Sequence, residues 1–385
     1  MTYQHALQYL AERESSGAPL LPLEALDQWI EKGAATPMIV CTSHDKQGSA
    51  TALLLRSILS HAGISTLHLI DAPEYELRDR YVLDGKPLSP TALCAHAQDV
   101  RTQEIKLRRA LSAQGQANAA STFSLPHRAL AVLLRCAASP IRVILLEGTS
   151  TTPYLHALCD LFARLDAITL VSATDEGGKS ALSCILPVTR EVIAHPSGPA
   201  LFRSYSDACV RTGSRLAIIA KTSHRRHSAT LGGQMLDYTT LNNCRIRSGS
   251  ALAADAAVLA IEAAFALRRA GFIISNEVIQ TGLSQAALPM CASPISIQPL
   301  VITERADTPT ELALVMRDLT ALADVLPAPR HVIVDPHLAS AFETYALFAD
   351  TLSYGEMPPD QENTGCTLII GSGEFVRKIY SVGVK

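Results

Sequence analysis

Short apolar runs alternate along this chain with longer segments in which apolar residues recur every three or four positions. The short runs are rich in Val, Ile and Leu, which is typical of strands buried on both faces of a sheet. The strands predicted in this way are 38–41, 65–70, 141–146, 167–172, 300–303, 331–334 and 366–371. Because predicted helices separate most of them, the pattern indicates an α/β fold with parallel sheets covered by helices.

The helices are predicted where apolar residues recur at helical spacing. They are 51–62, 91–119, 123–136, 153–165, 251–270, 275–282, 309–323 and 339–349, with two more within 2–33. Asp84-Gly85 is typical of a tight turn. Residues 175–248 carry only short strands and turns in no clear order.

The length of the chain, 385 residues, favours two domains over one core. The segment 286–299 is rich in Pro and Ser and has little regular pattern, so we place a linker at 289–298. This predicts a first domain at residues 1–288 and a smaller α/β domain at residues 299–385.

Composition narrows the classes of function. The formal charge of −3 is close to balanced, and 48% of the residues are hydrophobic, so a nucleic-acid-binding surface is not expected. No apolar stretch is long enough to span a bilayer, and the first residues lack a secretion signal, so no membrane association is expected. The nine cysteines are scattered, which favours reduced thiols in a cytoplasmic protein.

A polar loop connects the predicted strand 38–41 to the helix that follows it. Phosphate-binding loops occupy such positions, because the free N–H groups and the dipole of a helix N-terminus attract an anion. The residues of the loop are Ser43, His44, Asp45, Lys46, Gln47, Gly48 and Ser49. Side chains stand where such a loop needs glycine. The loop is therefore either an altered phosphate site or a polar connection between strand and helix.

Several short strings along the chain, in their order and spacing, carry a resemblance to a known family. They lie at 48–49, 84–89, 121–123, 268–283, 299–302 and 371–372. Together they resemble the folylpolyglutamate synthetase and dihydrofolate synthetase family of the Mur ligase superfamily. The resemblance implies a P-loop-type central domain with a parallel sheet, followed by a smaller Rossmann-like C-terminal α/β domain.

The resemblance also implies a chemistry, in which ATP and metal convert a carboxylate to an acyl phosphate that an amine attacks. The phosphate loop of the family reads Gly-Thr-Asn-Gly-Lys-Gly-Ser-Thr. Here Ser43 and Lys46 replace two of its glycines, and Gln47 replaces its lysine. Ser49 and Glu147 stand at positions that bind metal in the family, which makes them candidate Mg²⁺ ligands. Glu147 serves equally well as a cap of the following turn.

Other family positions have changed. The lysine that carries a carbamate in the family has no counterpart, because the chain has no lysine between Lys179 and Lys221. In the C-terminal motif Asp-Gly-Ala-His-Asn-Pro, Glu304 stands for the aspartate and Asp307 for the histidine. These changes remove side chains that contact nucleotide in the family.

Three further features are weaker. Gly178-Lys179-Ser180 fits a relaxed phosphate-loop pattern, although a surface turn explains it better, and its role stays open. Scattered histidines, among them His61 and His68, are interpreted as core-edge or surface residues. Asp335-Pro336-His337 is interpreted as a turn and helix start.

We therefore predict a folylpolyglutamate synthetase-like protein whose ATP-dependent ligation is lost or reduced. Such a pseudoenzyme would hold a folate-like or peptide-like small molecule in an interdomain cleft, or would partner an active relative of the ligase type. The alternative is an active, divergent ATP-dependent amide ligase that uses ATP and Mg²⁺ with Ser49, Glu147 and Lys46.

Overall fold

A computed structural model describes most of the chain. It covers residues 1–11, 38–42, 47–70, 77–113, 115, 125–138, 141–148, 167–171, 189–195, 199–220, 222–227, 229–288, 294–297, 300–355, 365–372, 375–376 and 378–379. The predicted helices at 153–165 and within 12–33 lie outside these residues, as does Gly178-Lys179-Ser180.

The chain divides into two compact units. Unit 1 comprises Met1–Lys221 and Leu259–Ile279, and unit 2 comprises Thr222–Val258 and Gln280–Lys385. The domain boundaries predicted at residues 288 and 299 stay a prediction, because a compact unit is not necessarily a domain that folds alone.

Unit 1 is built on an eight-stranded sheet with the strand order β4-β3-β2-β5-β1-β6-β7-β8. Its strands are Met38–Thr42 (β1), Thr66–Leu69 (β2), Tyr81–Leu83 (β3), Lys86–Pro87 (β4), Val143–Gly148 (β5), Ala167–Val171 (β6), Thr189–Ala194 (β7) and Arg215–Ile218 (β8). From β2 to β8 across the sheet, neighbouring strands are parallel, whereas β3 and β4 pair antiparallel.

The predicted turn at Asp84-Gly85 joins β3 to β4. Asp84 has φ +48° and Gly85 has φ +80°, the pair of positive angles that a two-residue hairpin turn favours. The Asp84 carboxylate accepts a 2.8 Å hydrogen bond from the N–H of Thr66. The turn is confirmed, but the two short strands beside it were not predicted, because 71–90 shows no alternation.

Helices cover the sheet of unit 1. They are Tyr3–Ala11 (α1), Gln47–His61 (α2), Pro90–Ala113 (α3), Leu125–Ala137 (α4) and Pro199–Thr212 (α5). Leu10, Val100 and Leu133 from α1, α3 and α4 pack with the strand residues Leu67 and Ile144 in one buried core. The spacing predicted α3 and α4 within a few residues, although α3 ends at Ala113 and not at 119. Helix α5 was not predicted.

Two helices have residues in both units: Ala251–Arg269 (α6) and Asn276–Gln285 (α7). Alanine, the best helix former, occupies much of α6, and its apolar residues are almost all buried. Gly271, with φ +95°, follows the end of α6, as the sequence predicts for a helix C-terminus.

Unit 2 contains two sheets. Three antiparallel strands form the first: His224–Arg226 (β9), Gln234–Tyr238 (β10) and Leu241–Ile246 (β11). The second has the order β12-β13-β16-β14-β15, with Pro294–Ile297 (β12), Leu300–Arg305 (β13), Arg330–Val334 (β14), Thr351–Tyr354 (β15) and Cys366–Gly371 (β16). Only β12 is antiparallel to its neighbour. It lies in the segment predicted as a linker, where the pattern indicated no strand.

The helices of unit 2 pack against the second sheet. They are Pro309–Ala321 (α8) and the single turn Ala339–Phe342 (α9), which continues as a 3-10 helix at Glu343–Phe348. Met316 and Phe342 are fully buried against Ile302, Val332 and Leu368. The predicted helix 339–349 is therefore mostly 3-10 in form. In the described part of the chain, no helix is long and apolar enough to cross a membrane.

Two neighbouring glycines test the packing of the first sheet of unit 2. A Cβ at Gly233, where φ is +111°, would lie 1.9 Å from the carbonyl oxygen of Ile246. At Gly232 the nearest atom to a Cβ would be 3.7 Å away. We expect Gly233→Ala to lower the free energy of unfolding by about 3 kcal/mol and Gly232→Ala to change it by less than about 0.5 kcal/mol, measured by chemical denaturation. Equal effects would contradict the described turn.

Candidate functional site

The carboxyl end of β1 lies at the switch point of the parallel sheet of unit 1. Strand β1 lies between β5 and β6; the chain runs from β1 to β2 on the β5 side, and from β5 to β6 on the other side. Ligands in such sheets bind outside the carboxyl ends of the strands at this switch point. The chain passes from Thr42 at the end of β1 to Gln47 at the start of α2.

Two residues predicted as metal ligands meet at this edge. Ser49 lies in the first turn of α2, and Glu147 lies near the end of β5, beside Cys41 of β1. The Ser49 hydroxyl donates a 2.6 Å hydrogen bond to Oε2 of Glu147. Glu147 is only 3% exposed, whereas Ser49 is exposed to solvent. The hydroxyl therefore links a buried carboxylate to the surface of the sheet edge.

A histidine occupies the other oxygen of this carboxylate. Nε2 of His68 lies 2.6 Å from Oε1 of Glu147, and the His68 side chain is fully buried. His68 belongs to β2, which pairs with β5 in parallel register. A buried acidic group needs such partners, because an ionised carboxylate removed from water without them is strongly destabilised.

An arginine stands behind the histidine. Nη1 of Arg56, on α2, lies 3.2 Å from Nδ1 of His68. A guanidinium group can only donate, so Nδ1 must accept this bond and the ring proton must sit on Nε2. Arg56, His68, Glu147 and Ser49 thus form a row of close polar contacts, which we call the Glu147 network. Within it the charge of Arg56 balances that of Glu147.

The row of contacts bears on whether a metal ion fits. Mg²⁺ in nucleotide sites is usually held by one or two protein oxygens, with phosphates and water supplying the rest. The Ser49 hydroxyl and Oε2 of Glu147 fit such a partial set. Oε1 lies 2.6 Å from Nε2 of His68, so a cation could reach it only if His68 moved. Among the residues that the structure describes, no group of three or more His, Cys, Asp or Glu could hold a metal.

The rest of the predicted phosphate loop is described only in part. Gln47 and Gly48 form the first residues of α2, and Gly48 is buried. Ser43, His44, Asp45 and Lys46 lie outside the described residues. Their predicted effect on phosphate binding stays a prediction.

In unit 2, the predicted residues of the C-terminal motif have structural roles. Glu304 is buried at the end of β13. Asp307 lies 2.5 Å from Nε of Arg305, and its N–H donates a 2.7 Å hydrogen bond to the side chain of Glu311. Glu311 also forms a capping box with Thr308 at the start of α8. Asp307 therefore belongs to the local structure that begins this helix.

Three polar residues at the carboxyl ends of β14 and β16 in unit 2 were not predicted as a site. Oδ1 of Asp335 lies 2.6 Å from Nδ1 of His337, and Oδ2 accepts a 2.9 Å bond from the Ser372 hydroxyl. The bond to Asp335 raises the pKa of His337. Burial pushes the pKa of Asp335 upward, but hydrogen bonds from His337 and Ser372 outweigh it and lower the pKa. The turn predicted at 335–337 is correct, and it also holds an ion pair.

Two members of the Glu147 network, Arg56 and His68, were not predicted from the sequence, and His68 is the one that contacts the carboxylate. It was interpreted as a core-edge or surface histidine, although the described ring is fully buried. One signal was available: His68 lies in a predicted strand near a second predicted strand that ends at Glu147. The register that brings the two side chains together depends on the fold, so spacing along the chain could not supply it.

Comparison with known proteins identifies the fold. No family model matches the sequence, and no curated protein sequence matches it. Among solved structures, the chain is similar to the apo form of the Lactobacillus casei folylpolyglutamate synthetase, with a TM-score of 0.81 and 13% identity over all of both chains. It is also similar to a folylpolyglutamate synthetase complex with AMPPCP and folate, with a TM-score of 0.76 and 13% identity over all of both chains.

A third solved structure shows the same fold. The Mycobacterium tuberculosis folylpolyglutamate synthase complexed with ADP and AMPPCP has a TM-score of 0.69 and 16% identity over 93% of each chain. At these identities the likeness establishes the fold. The chain therefore has the α/β fold of folylpolyglutamate synthetases, and the predicted fold class is confirmed.

The Glu147 network predicts a specific loss of stability. Replacing His68 by Leu removes a partner from a buried carboxylate, which costs about 3 kcal/mol. The control is His61→Leu, since His61 is exposed on α2 and we expect a change within about 0.5 kcal/mol. Chemical denaturation of both variants provides the measurement. A His68→Leu variant as stable as the native chain would mean that the contact with Glu147 contributes nothing.

The Asp335–His337 pair predicts a pH dependence. Because the pKa of His337 is raised, its contribution to stability is lost as the pH rises through that pKa. Because the pKa of Asp335 is lowered, the contribution is also lost as the pH falls through that pKa. The contribution is therefore largest between the ordinary pKa values of the two groups, roughly pH 4 to 6.5.

The measurement compares the free energy of unfolding of the native chain and of His337→Gln from acid to mildly alkaline pH. Since the His337 side chain is 44% exposed, solvent screens the pair, and the difference should reach at most about 1 kcal/mol in the acidic window and vanish in alkali. A difference that does not vary with pH would rule out the ion pair as its source.

Proposed function

We propose that this chain is a folylpolyglutamate synthetase-like pseudoenzyme, which keeps the fold of these ligases but has lost ATP-dependent amide ligation. Its role would be to bind a ligand or to regulate a partner. The observation that carries the proposal is the double engagement of the Glu147 carboxylate, by Ser49 on one oxygen and by His68 on the other. In this arrangement protein groups contact both oxygens, so a metal ion would have to displace the contact at one of them.

The sequence of the phosphate loop supports the same conclusion. Ser43 and Lys46 put side chains where backbone must approach phosphate, and Gln47 replaces the lysine that contacts the phosphates in the resembling family. Losing one preorganised donor of this kind costs about 3–4 kcal/mol of transition-state stabilisation. Ligation would therefore be slowed by two or more orders of magnitude even if nucleotide bound.

Two further positions support a loss of chemistry. No lysine between Lys179 and Lys221 can carry the carbamate that the resembling family uses. Asp307, which replaces the histidine of the C-terminal motif, is paired with Arg305. The Asp307 carboxylate is a poor contact for a nucleotide phosphate, because two negative charges repel each other. Its ion pair with Arg305 also leaves it less available.

We propose a ligand of the folate or peptide type. The support is that one structure with this fold was solved with AMPPCP and folate bound. A pseudoenzyme of this kind would retain a binding site for the organic substrate while losing the nucleotide, or would pair with an active ligase relative in the cytoplasm.

One observation favours a second candidate, an active and divergent ATP-dependent amide ligase. The Ser49 hydroxyl and Oε2 of Glu147 lie 2.6 Å apart, close enough to be two neighbouring ligands of one Mg²⁺. If His68 moves on metal binding, this pair and a phosphate could hold the ion. Nucleotide binding therefore separates the two candidates.

The test is titration calorimetry of the full chain with Mg·ATP. We expect no binding up to millimolar nucleotide, because two glycines and the lysine of the family's loop are replaced by Ser43, Lys46 and Gln47. The Ser49→Ala variant should behave as the native chain does. Ser60→Ala, which changes an exposed serine on the same helix, is the matched control.

Micromolar binding of Mg·ATP that is weakened by Ser49→Ala but not by Ser60→Ala would overturn the pseudoenzyme proposal and favour the active ligase. A parallel titration with folate tests the ligand. If folate does not bind, the proposed ligand must be peptide-like, or the chain must act through a protein partner.

A further inference from the structure

A basic cavity lies on unit 1 among α1, α3 and α4, and the proposed function makes no use of it. Its volume is about 460 Å³, which is in the range of small-molecule sites. Arg101, Glu104, Ile105 and Arg108 line it from α3 at positions i, i+3, i+4 and i+7. These positions share one helix face. A stripe that would ordinarily be apolar therefore carries three charged residues.

The cavity is built around a buried acid. Glu104 is 4% exposed and accepts a 2.6 Å hydrogen bond from the hydroxyl of Tyr9 on α1. It also forms an ion pair with Arg108, four residues along α3. Nη2 of Arg128, on α4, lies 3.8 Å from Oε1 of Glu104, the oxygen that Arg108 also contacts. The acid thus lies close to two guanidinium groups, one from α3 and one from α4.

Arg128 is a fixed part of the wall. Only 6% of it is exposed, although arginine is rarely buried unless it is paired. Its Nη1 donates a 2.7 Å hydrogen bond to the carbonyl oxygen of Tyr9, and its guanidinium carbon lies 4.5 Å from the centre of the Tyr9 ring. Such a stacked and hydrogen-bonded guanidinium is preorganised.

Charge remains uncompensated in the cavity. Three guanidinium groups, from Arg101, Arg108 and Arg128, face one carboxylate, which leaves a net charge of +2 when His5 is counted as neutral. Arg101 is exposed and has no hydrogen-bond or ion-pair partner within the described part of the chain. Like charges that line one cavity repel each other, and an anion bound among them would relieve this repulsion.

We propose that this cavity binds a small organic dianion, either a phosphate monoester or a dicarboxylate. Two net positive charges match two negative charges, and arginine forks bind phosphate and carboxylate in a bidentate manner. Ile105, 43% exposed, and the Tyr9 ring supply an apolar wall for the organic part of the ligand. The site does not depend on the fate of the Glu147 network.

The test uses phenyl phosphate and succinate as probes, with acetate as the singly charged comparison, in calorimetric titrations of the full chain. We expect both dianions to bind at least tenfold more tightly than acetate, with the affinity falling as salt is added. The dianion that binds more tightly shows whether the cavity prefers a phosphate monoester or a dicarboxylate. Dianions that bind no better than acetate would overturn the proposal.

Variants locate the binding. Arg101→Gln should weaken the stronger dianion at least fivefold, whereas Arg109→Gln, an equal charge change at an exposed position of α3 outside the cavity, should leave it unchanged. Equal effects of the two variants would reduce the result to general surface charge and refute the site. Both positions are exposed, so both variants should fold.

A further variant separates this site from the altered phosphate loop. Ser49→Ala should leave dianion binding intact, because Ser49 is not part of the cavity. Dianion binding that disappears in Ser49→Ala but survives in Arg101→Gln would place the ligand at the phosphate loop and contradict the proposal. Mg·ATP results bear only on the proposed function, so the two inferences fail independently.

Discussion

The Glu147 carboxylate is the group on which the account of this protein depends. It is buried at the carboxyl end of a central parallel strand, where an unpaired charge would be destabilised by several kcal/mol. Such a charge must be balanced either by a cation from solution or by the protein itself. Here Ser49 and His68 contact its two oxygens, and Arg56 contacts the histidine from behind. The protein supplies its own counter-charge.

This arrangement relates the fold to the proposed loss of activity. A parallel sheet brings the ends of β1, β2 and β5 to one edge, so side chains that are far apart in sequence become neighbours. The same edge that could present a carboxylate to a metal–nucleotide complex can bury it against a histidine from the next strand. A single histidine in β2 therefore suffices to place a contact on a carboxylate at the end of β5. The fold accommodates this contact because its hydrophobic packing does not involve these groups.

Local patterns predicted much of this structure. The apolar runs at β1, β5 and β16 and the Ala-rich helix α6 were predicted within a few residues, because burial on both faces and helical spacing leave direct marks on a sequence. The Asp84-Gly85 turn was predicted because few residues tolerate positive φ. The edge strands β12 and β15 were not, since short edge strands lack a continuous apolar run. At the site, Ser49 and Glu147 were singled out, whereas His68 required the register between β2 and β5.

The central claim is that His68 accepts from Arg56 at Nδ1 and carries its ring proton on Nε2, the nitrogen that lies 2.6 Å from Oε1 of Glu147. Nitrogen-15 NMR of the histidine rings, with the His68 signals assigned by their loss in a His68→Gln variant, measures this tautomer directly. The account predicts the Nε2–H form, unchanged when millimolar MgCl₂ and ATP are added. A tautomer that carries its proton on Nδ1, or His68 signals that shift when metal and nucleotide are added, would contradict it.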